Sequence, residues 1–116
     1  MWDLKPVDEK EFYEKVDNCK KPVFIDFWAV WCPPCRMMEP LLNDIMNMYK
    51  EKVEFIKVNV DINKKIAKDY DIQGVPSYMI VSGRKKIKEI VGASSKKQLS
   101  ELIESAIKII NSDGER

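Results

Sequence analysis

Apolar and polar positions along the chain switch between a helical period and a strand period. Phe12, Tyr13 and Val16 share one face of residues 8–19, which predicts a helix. Asp8 followed three positions later by Glu11 is a capping-box start for it. Residues 23–30, VFIDFWAV, form a near-continuous apolar run, the pattern of a strand buried on both faces of a sheet. Residues 34–50 return to helical spacing through Met38, Leu41, Leu42, Ile45 and Tyr49. Pro40 falls inside that helix and is expected to kink it. Residues 53–60, VEFIKVNV, predict a second strand, and Ile66, Ala67 and Tyr70 a short helix. Residues 77–82 and 86–91 read as two strands joined at Ser82-Gly83, a connection so short that the pair must be antiparallel. Ser95 and Gln98 repeat the capping-box spacing. The last helix then carries Leu99, Leu102, Ile103, Ala106, Ile107 and Ile110, with fraying expected over 112–116. A further strand is expected near Trp2–Leu4. The order is a parallel βαβ half, a hairpin and a closing helix, with helices on both faces of the sheet.

Length and composition narrow the picture. A chain of 116 residues, 45% hydrophobic, fits one domain spanning 1–116. Twenty basic residues against 19 acidic ones leave a net charge of +1, which gives no support to a nucleic-acid or anionic-membrane partner. No window approaches the roughly 18 apolar residues of a membrane span. Histidine is absent, which excludes Cys–His and Ser–His catalysis and His-ligated metals. Three cysteines are too few for a secreted disulfide scaffold or a four-thiolate zinc site within one chain. The N-terminus lacks a basic start followed by an apolar stretch, so a cytoplasmic, reducing compartment is the expectation.

The chemistry concentrates in Trp31-Cys32-Pro33-Pro34-Cys35, where a strand gives way to a helix. One helical turn between two sulfurs suits a small disulfide ring. Free N–H groups and the positive dipole end of the helix favour the thiolate of Cys32, the reactive form. Prolines fit a first turn, where their missing N–H has no helical partner. Structural cysteines, or half of a metal site completed by a second chain, are the competing readings. Asp26 interrupts the apolar run at 23–30. A carboxylate buried there is costly, its pKa should rise, and it could accept and return a proton near neutral pH. A water-facing Asp is the alternative. Lys57 reads equally well as a solvated strand lysine. Trp28 is expected to pack behind the motif, Cys19 to act as a small buried hydrophobe, and the run Arg84, Lys85, Lys86 and Lys88 to form a solvated turn.

The stretch FWAVWCPPCRMMEP resembles the active-site segment of the thioredoxin family. The resemblance extends over the whole chain, through Asp26, Lys57, Gly74-Val75-Pro76 and Gly92. It implies an α/β thioredoxin fold, a central mixed sheet of four to five strands flanked by four helices on both faces. It further implies that Cys32 attacks a substrate disulfide and Cys35 resolves the adduct. Asp26 would be the general acid/base for Cys35, and Lys57 the partner of that carboxylate. The Val75–Pro76 bond would be cis, freeing the Val75 backbone to pair with an extended substrate. Trp31, Pro34, Val75, Pro76, Gly92 and Ala93 would make up the docking surface. The implied activity is reduction of protein disulfides by a cytoplasmic monomer, without cofactor or metal, recharged by a thioredoxin reductase. Its partners would be disulfide-containing target proteins.

Two positions depart from the family pattern. Pro33 stands where most members have Gly, and Ser77 where Thr is usual. In the family the chain resembles, the residues between the cysteines tune the redox potential, so Pro33 would bear on the direction of electron flow. A specialised oxidase, an isomerase or a cytochrome-maturation-type reductant is the alternative. A non-catalytic binding module or an inter-chain metal site is a further one.

Overall fold

The capping box at Asp8 forms as the spacing predicts. The Glu11 N–H donates to the Asp8 carboxylate at 2.8 Å, and the Asp8 N–H donates to the Glu11 carboxylate at 3.4 Å. Helix α1 then runs Glu9–Asn18 and buries Phe12 and Val16. The structure, a computed structural model, describes residues 5–114, so the expected strand near Trp2–Leu4 lies outside the described residues. Strand β1 (Val23–Trp28) is followed by α2 (Pro33–Met37), α3 (Glu39–Tyr49), β2 (Glu54–Asn59), α4 (Lys64–Asp69), β3 (Ser77–Ser82), β4 (Lys85–Val91) and α5 (Lys96–Gly114).

These strands make a four-stranded mixed sheet in the order β2-β1-β3-β4. β1 pairs parallel with β2 and antiparallel with β3, and β4 pairs antiparallel with β3. Alternation along the strands sorts two apolar layers. Val23, Ile25 and Phe27, with Ile56, Val58, Met79 and Val81, pack against α1 and against Ile66 and Tyr70 around α4. Phe24, Phe55, Tyr78 and Ile80 face the other way, onto Leu42, Ile45 and Tyr49 of α3 and Leu99, Ile103 and Ala106 of α5. Because β1 is covered on both faces, the run at 23–30 has no solvent side, as its composition implied. Asp26 falls on the α3/α5 face, in register with Lys57 of β2 and Tyr78 of β3.

Four expectations need correction. The helix expected over 34–50 is two helices, separated at Met38, so there are five described helices instead of four. Pro40 does not kink a helix interior. It stands at the second position of α3, where a missing N–H has no helical partner to lose. Met38, Leu42, Ile45 and Tyr49 still point into one core across the break, which is why their spacing read as one helix. The hairpin loop is Gly83-Arg84, one residue later than expected, with Gly83 at φ +60°. Helix α5 continues to Gly114, past the onset of the expected fraying. Its start matches the expectation. The Gln98 N–H donates to the Ser95 hydroxyl at 3.1 Å, and the Ser95 N–H donates to the Gln98 side chain at 2.8 Å.

The basic run after Ser82 is only partly a solvated turn. Arg84 forms a two-point ion pair with Asp17 of α1, at 2.7 and 2.8 Å, and its guanidinium lies 4.6 Å from the centroid of the Tyr13 ring. Lys85 and Lys86 are exposed and Lys88 is half-buried along β4, the last strand of the sheet. A register shift at Ile80/Val81 interrupts the β3–β4 ladder.

Candidate active site

β1 delivers the chain to its C-terminal end, and α2 starts five residues later. Cys32 is the N-cap of α2, in extended conformation, with Pro33 and Pro34 occupying the first two helical positions. The Cys35 N–H donates to the Cys32 sulfur at 3.2 Å. The Arg36 N–H donates instead to the Cys32 carbonyl, at 3.4 Å, so it does not serve the sulfur. Cys32 and Cys35 are joined in a disulfide with a Cα–Cα separation of 5.3 Å, and both are nearly buried, 2% and 6% exposed. Trp28, Val60 and Val75 pack against them, which places Trp28 behind the motif.

Around the disulfide, the residues expected to dock substrate differ in exposure. Trp31, Pro34 and Ala93 are exposed, Val75 and Gly92 half-buried, and Pro76 buried behind them. The Val75–Pro76 bond is cis. The Gly92 N–H donates to the Pro76 carbonyl at 2.8 Å, tying the chain after β4 to the start of β3. Gly92 sits at φ +96°, where a side chain is strained. Ser77 donates its hydroxyl to the Gly74 carbonyl, also holding this bend.

Sequence reasoning missed Asp61. The Trp31 indole N–H donates to its carboxylate at 2.8 Å, which fixes an exposed ring against the surface. Asn59 positions Asp61, its side-chain oxygen accepting from the Asp61 N–H at 2.9 Å and the Ile62 N–H at 3.3 Å. An Asn–x–Asp sequence closing a strand is the turn signal that could have flagged the pair. Met37 and Ile62, 79% and 77% exposed, are further apolar side chains that periodicity alone does not single out.

Asp26 is 3% exposed and Lys57 9%, so neither faces water as a solvated strand residue would. The Lys57 ammonium lies 4.6 Å from the centroid of the Trp28 ring, a cation–π contact. Asp26, Lys57, Trp28 and Cys35 share one cleft with Arg36 and Glu39. Its volume is about 10 Å³, near the minimum for one water molecule. Tyr78, opposite Asp26, is no competing acid. Burial, and secondarily the charge of Asp26, push its phenol well above the usual range. Among the described residues no three Cys, Asp or Glu side chains gather as metal ligands. Cys19 is half-buried at the end of α1.

Pro33 removes the first N–H that a helix could turn toward Cys32, leaving Cys35 as the amide seen on its sulfur. A Pro33→Gly variant is expected to ionise Cys32 at the same pH or a lower one, since it restores a donor. Thiolate absorbance followed against pH in both proteins checks this. A clearly lower midpoint with Pro33 in place would refute it.

Comparison with known proteins agrees with this geometry. The thioredoxin family model matches residues 3–105. The thioredoxin of Griffithsia pacifica is 39% identical over 105 residues, 90% of this chain and 96% of that protein. Thioredoxin 1 of Nostoc is 40% identical over 98 residues, 84% of this chain and 92% of that one. The crystal structure of oxidised mitochondrial thioredoxin 3 from Saccharomyces cerevisiae superposes with a TM-score of 0.76 at 27% identity, covering 87% of this chain and 94% of that one. With its disulfide at the head of α2 and its mixed sheet between helices, the chain belongs to the thioredoxin family and is a thiol–disulfide oxidoreductase of the disulfide-reductase type.

Proposed function

We propose that the chain reduces disulfides in target proteins, with Cys32 as the attacking sulfur and Cys35 as the resolving one. The observation that carries this assignment is the asymmetry of the pair. Cys32 caps α2 and accepts an N–H on its sulfur, whereas Cys35 lines the cleft that holds Asp26.

In the reduced protein the Cys32 thiolate attacks one sulfur of a target disulfide. A Cys32–target disulfide forms and the other target sulfur leaves as a thiolate, taking a proton from solvent. Cys35 then gives its proton to Asp26, and its sulfur attacks Cys32. The Cys32–target bond breaks, the second target thiolate leaves and is protonated, and two electrons have passed to the target. Asp26 releases its proton to solvent. Lys57, in register with Asp26 on the neighbouring strand, balances its charge while it is ionised. Trp31, Pro34, Val75, Pro76, Gly92 and Ala93 form the docking surface. The half-buried Val75 backbone pairs with an extended stretch of target, main-chain hydrogen bonds supplying affinity without sequence preference. The pair itself carries the electrons without a bound cofactor. A thioredoxin reductase recharges it, and a reducing, cytoplasmic setting and a monomeric state suit this cycle. None of the described helices is long and apolar enough to cross a membrane.

The test is the reduction potential of the Cys32–Cys35 pair, titrated against dithiothreitol or glutathione buffers and read by mass after alkylation. A value well below the glutathione couple is expected, and recharging by a thioredoxin reductase is measured next. A value at or above that couple would overturn the reductant reading in favour of an oxidase or isomerase tuned by Pro33.

A further inference from the structure

Asp26 has to shed a proton in every cycle, yet it is 3% exposed. A group that is nearly out of reach of solvent needs a path to it. The cleft that joins Asp26 to Cys35 is lined by four further side chains: Trp28 beside Asp26 on β1, Arg36 of α2, Glu39 of α3 and Lys57 of β2. Arg36 offers donors and no acceptor, so it cannot take up a proton to relay, and its guanidinium donates to the Val30 carbonyl. Lys57 is buried, with its ammonium over the Trp28 ring. Trp28 carries no titratable group. Glu39 remains. It is a carboxylate, it is half-buried and so reaches solvent, and it lines the same cleft as Asp26. The cleft, at about 10 Å³, has room for about one water to bridge two carboxylates.

We propose that Glu39 is the outer carboxylate of a two-carboxylate proton path, a positioning residue that connects Asp26 to solvent. This rests on the reading of Asp26 as the acid/base for Cys35. The proton leaves the Cys35 thiol for Asp26, passes through the cleft to Glu39, and is released to bulk. No electron moves in these steps. Glu39 owes its place to the break at Met38, because α3 begins at Glu39 and its first residue is brought to the cleft.

The experiment uses the full chain and a disulfide-bonded peptide in excess. Oxidation of the reduced protein is followed by tryptophan fluorescence across pH 5.5 to 9, for the parent, Glu39→Gln, Glu39→Asp and Asp26→Asn. Where Asp26 starts protonated it must be emptied through this path before it can take the Cys35 proton, so at the lower pH values Glu39→Gln is expected to slow the resolving step about 3–10-fold, below the range for a group that takes the proton directly. Glu39→Asp should restore the rate. Added imidazole, at constant pH and ionic strength, should also restore it by carrying the proton away from the cleft mouth. The reduction potential should stay at the parent value, because a path alters rates and not end states. A parent-like pH profile in Glu39→Gln would overturn the proposal. So would slowing that neither aspartate nor imidazole relieves, which marks a structural role, or a potential that shifts with the rate, which marks a change in the end states. If Asp26→Asn changes the profile and Glu39→Gln does not, only the Glu39 path falls. If Asp26→Asn also behaves as the parent, the Asp26 reading falls with it.

Discussion

Cys35→Ser is expected to turn the protein into a trap. Cys32 would still attack a target disulfide, but a serine hydroxyl cannot displace the target from the resulting adduct. Turnover should fall to the uncatalysed background, and one equivalent of target should remain bound, visible as an added mass that a reductant removes. Cys32→Ser should lose turnover to the same extent and accumulate no such adduct at a comparable rate. The difference follows from the placement of the two sulfurs. Cys32 is the residue whose sulfur meets the Cys35 N–H at the head of α2, and Cys35 faces the Asp26 cleft. Serine is close in volume to cysteine, so the core around Ala29, Trp28 and Val75 should survive both changes. Intact-mass spectrometry after mixing each variant with a disulfide-bonded peptide decides the matter. Adduct forming as fast on Cys35 as on Cys32 would overturn the assigned order of attack.

Asp26→Asn carries the second large effect. Asparagine keeps the shape of the side chain but cannot take the Cys35 proton. The resolving step should slow by about 10–100-fold, up to the lower limit of the range for general acid–base catalysis. The first step should be spared, because Cys32 does not line the cleft with Asp26. The two steps separate cleanly in a Cys35→Ser background. There, adduct formation should run equally fast with and without the Asp26→Asn change. With Cys35 intact, release of the reduced peptide should lag in the variant. Release at the parent rate would remove Asp26 from the mechanism.

Much of this was legible in the residues because the relevant signals are local. A carboxylate inside VFIDFWAV stands out, since β1 is covered on both faces and leaves Asp26 no solvent side. The capping boxes at Asp8 and Ser95 need only four consecutive residues each. What stayed hidden depends on contacts across the chain. Lys57 sits in a strand of mixed polarity, and the residues alone read as well for a solvated lysine as for a partner of Asp26 until the β1–β2 register sets the two side by side. Glu39 looks like any charged residue of a helix until α3 is laid against β1 and β2. Asp61 gains a purpose only when Trp31, thirty residues earlier, folds onto it. The Met38 break escaped notice because it leaves the apolar face continuous, so the hydrophobic period carries no trace of it.

Among the described strands, β4 closes the sheet with an open row of backbone groups, the kind of border onto which a neighbouring chain could add itself as one more strand and start an aggregate. This border is guarded twice. Lys85 and Lys88 would bring like charges together if two copies met there, Lys86 being paired with Glu89 at 3.1 Å, and the irregularity at Ile80/Val81 keeps the ribbon from lying flat. The proposed pairing of extended targets with the Val75 backbone calls for open main-chain groups at that one place and not along β4. The lysine-studded hairpin disfavours strand addition along β4.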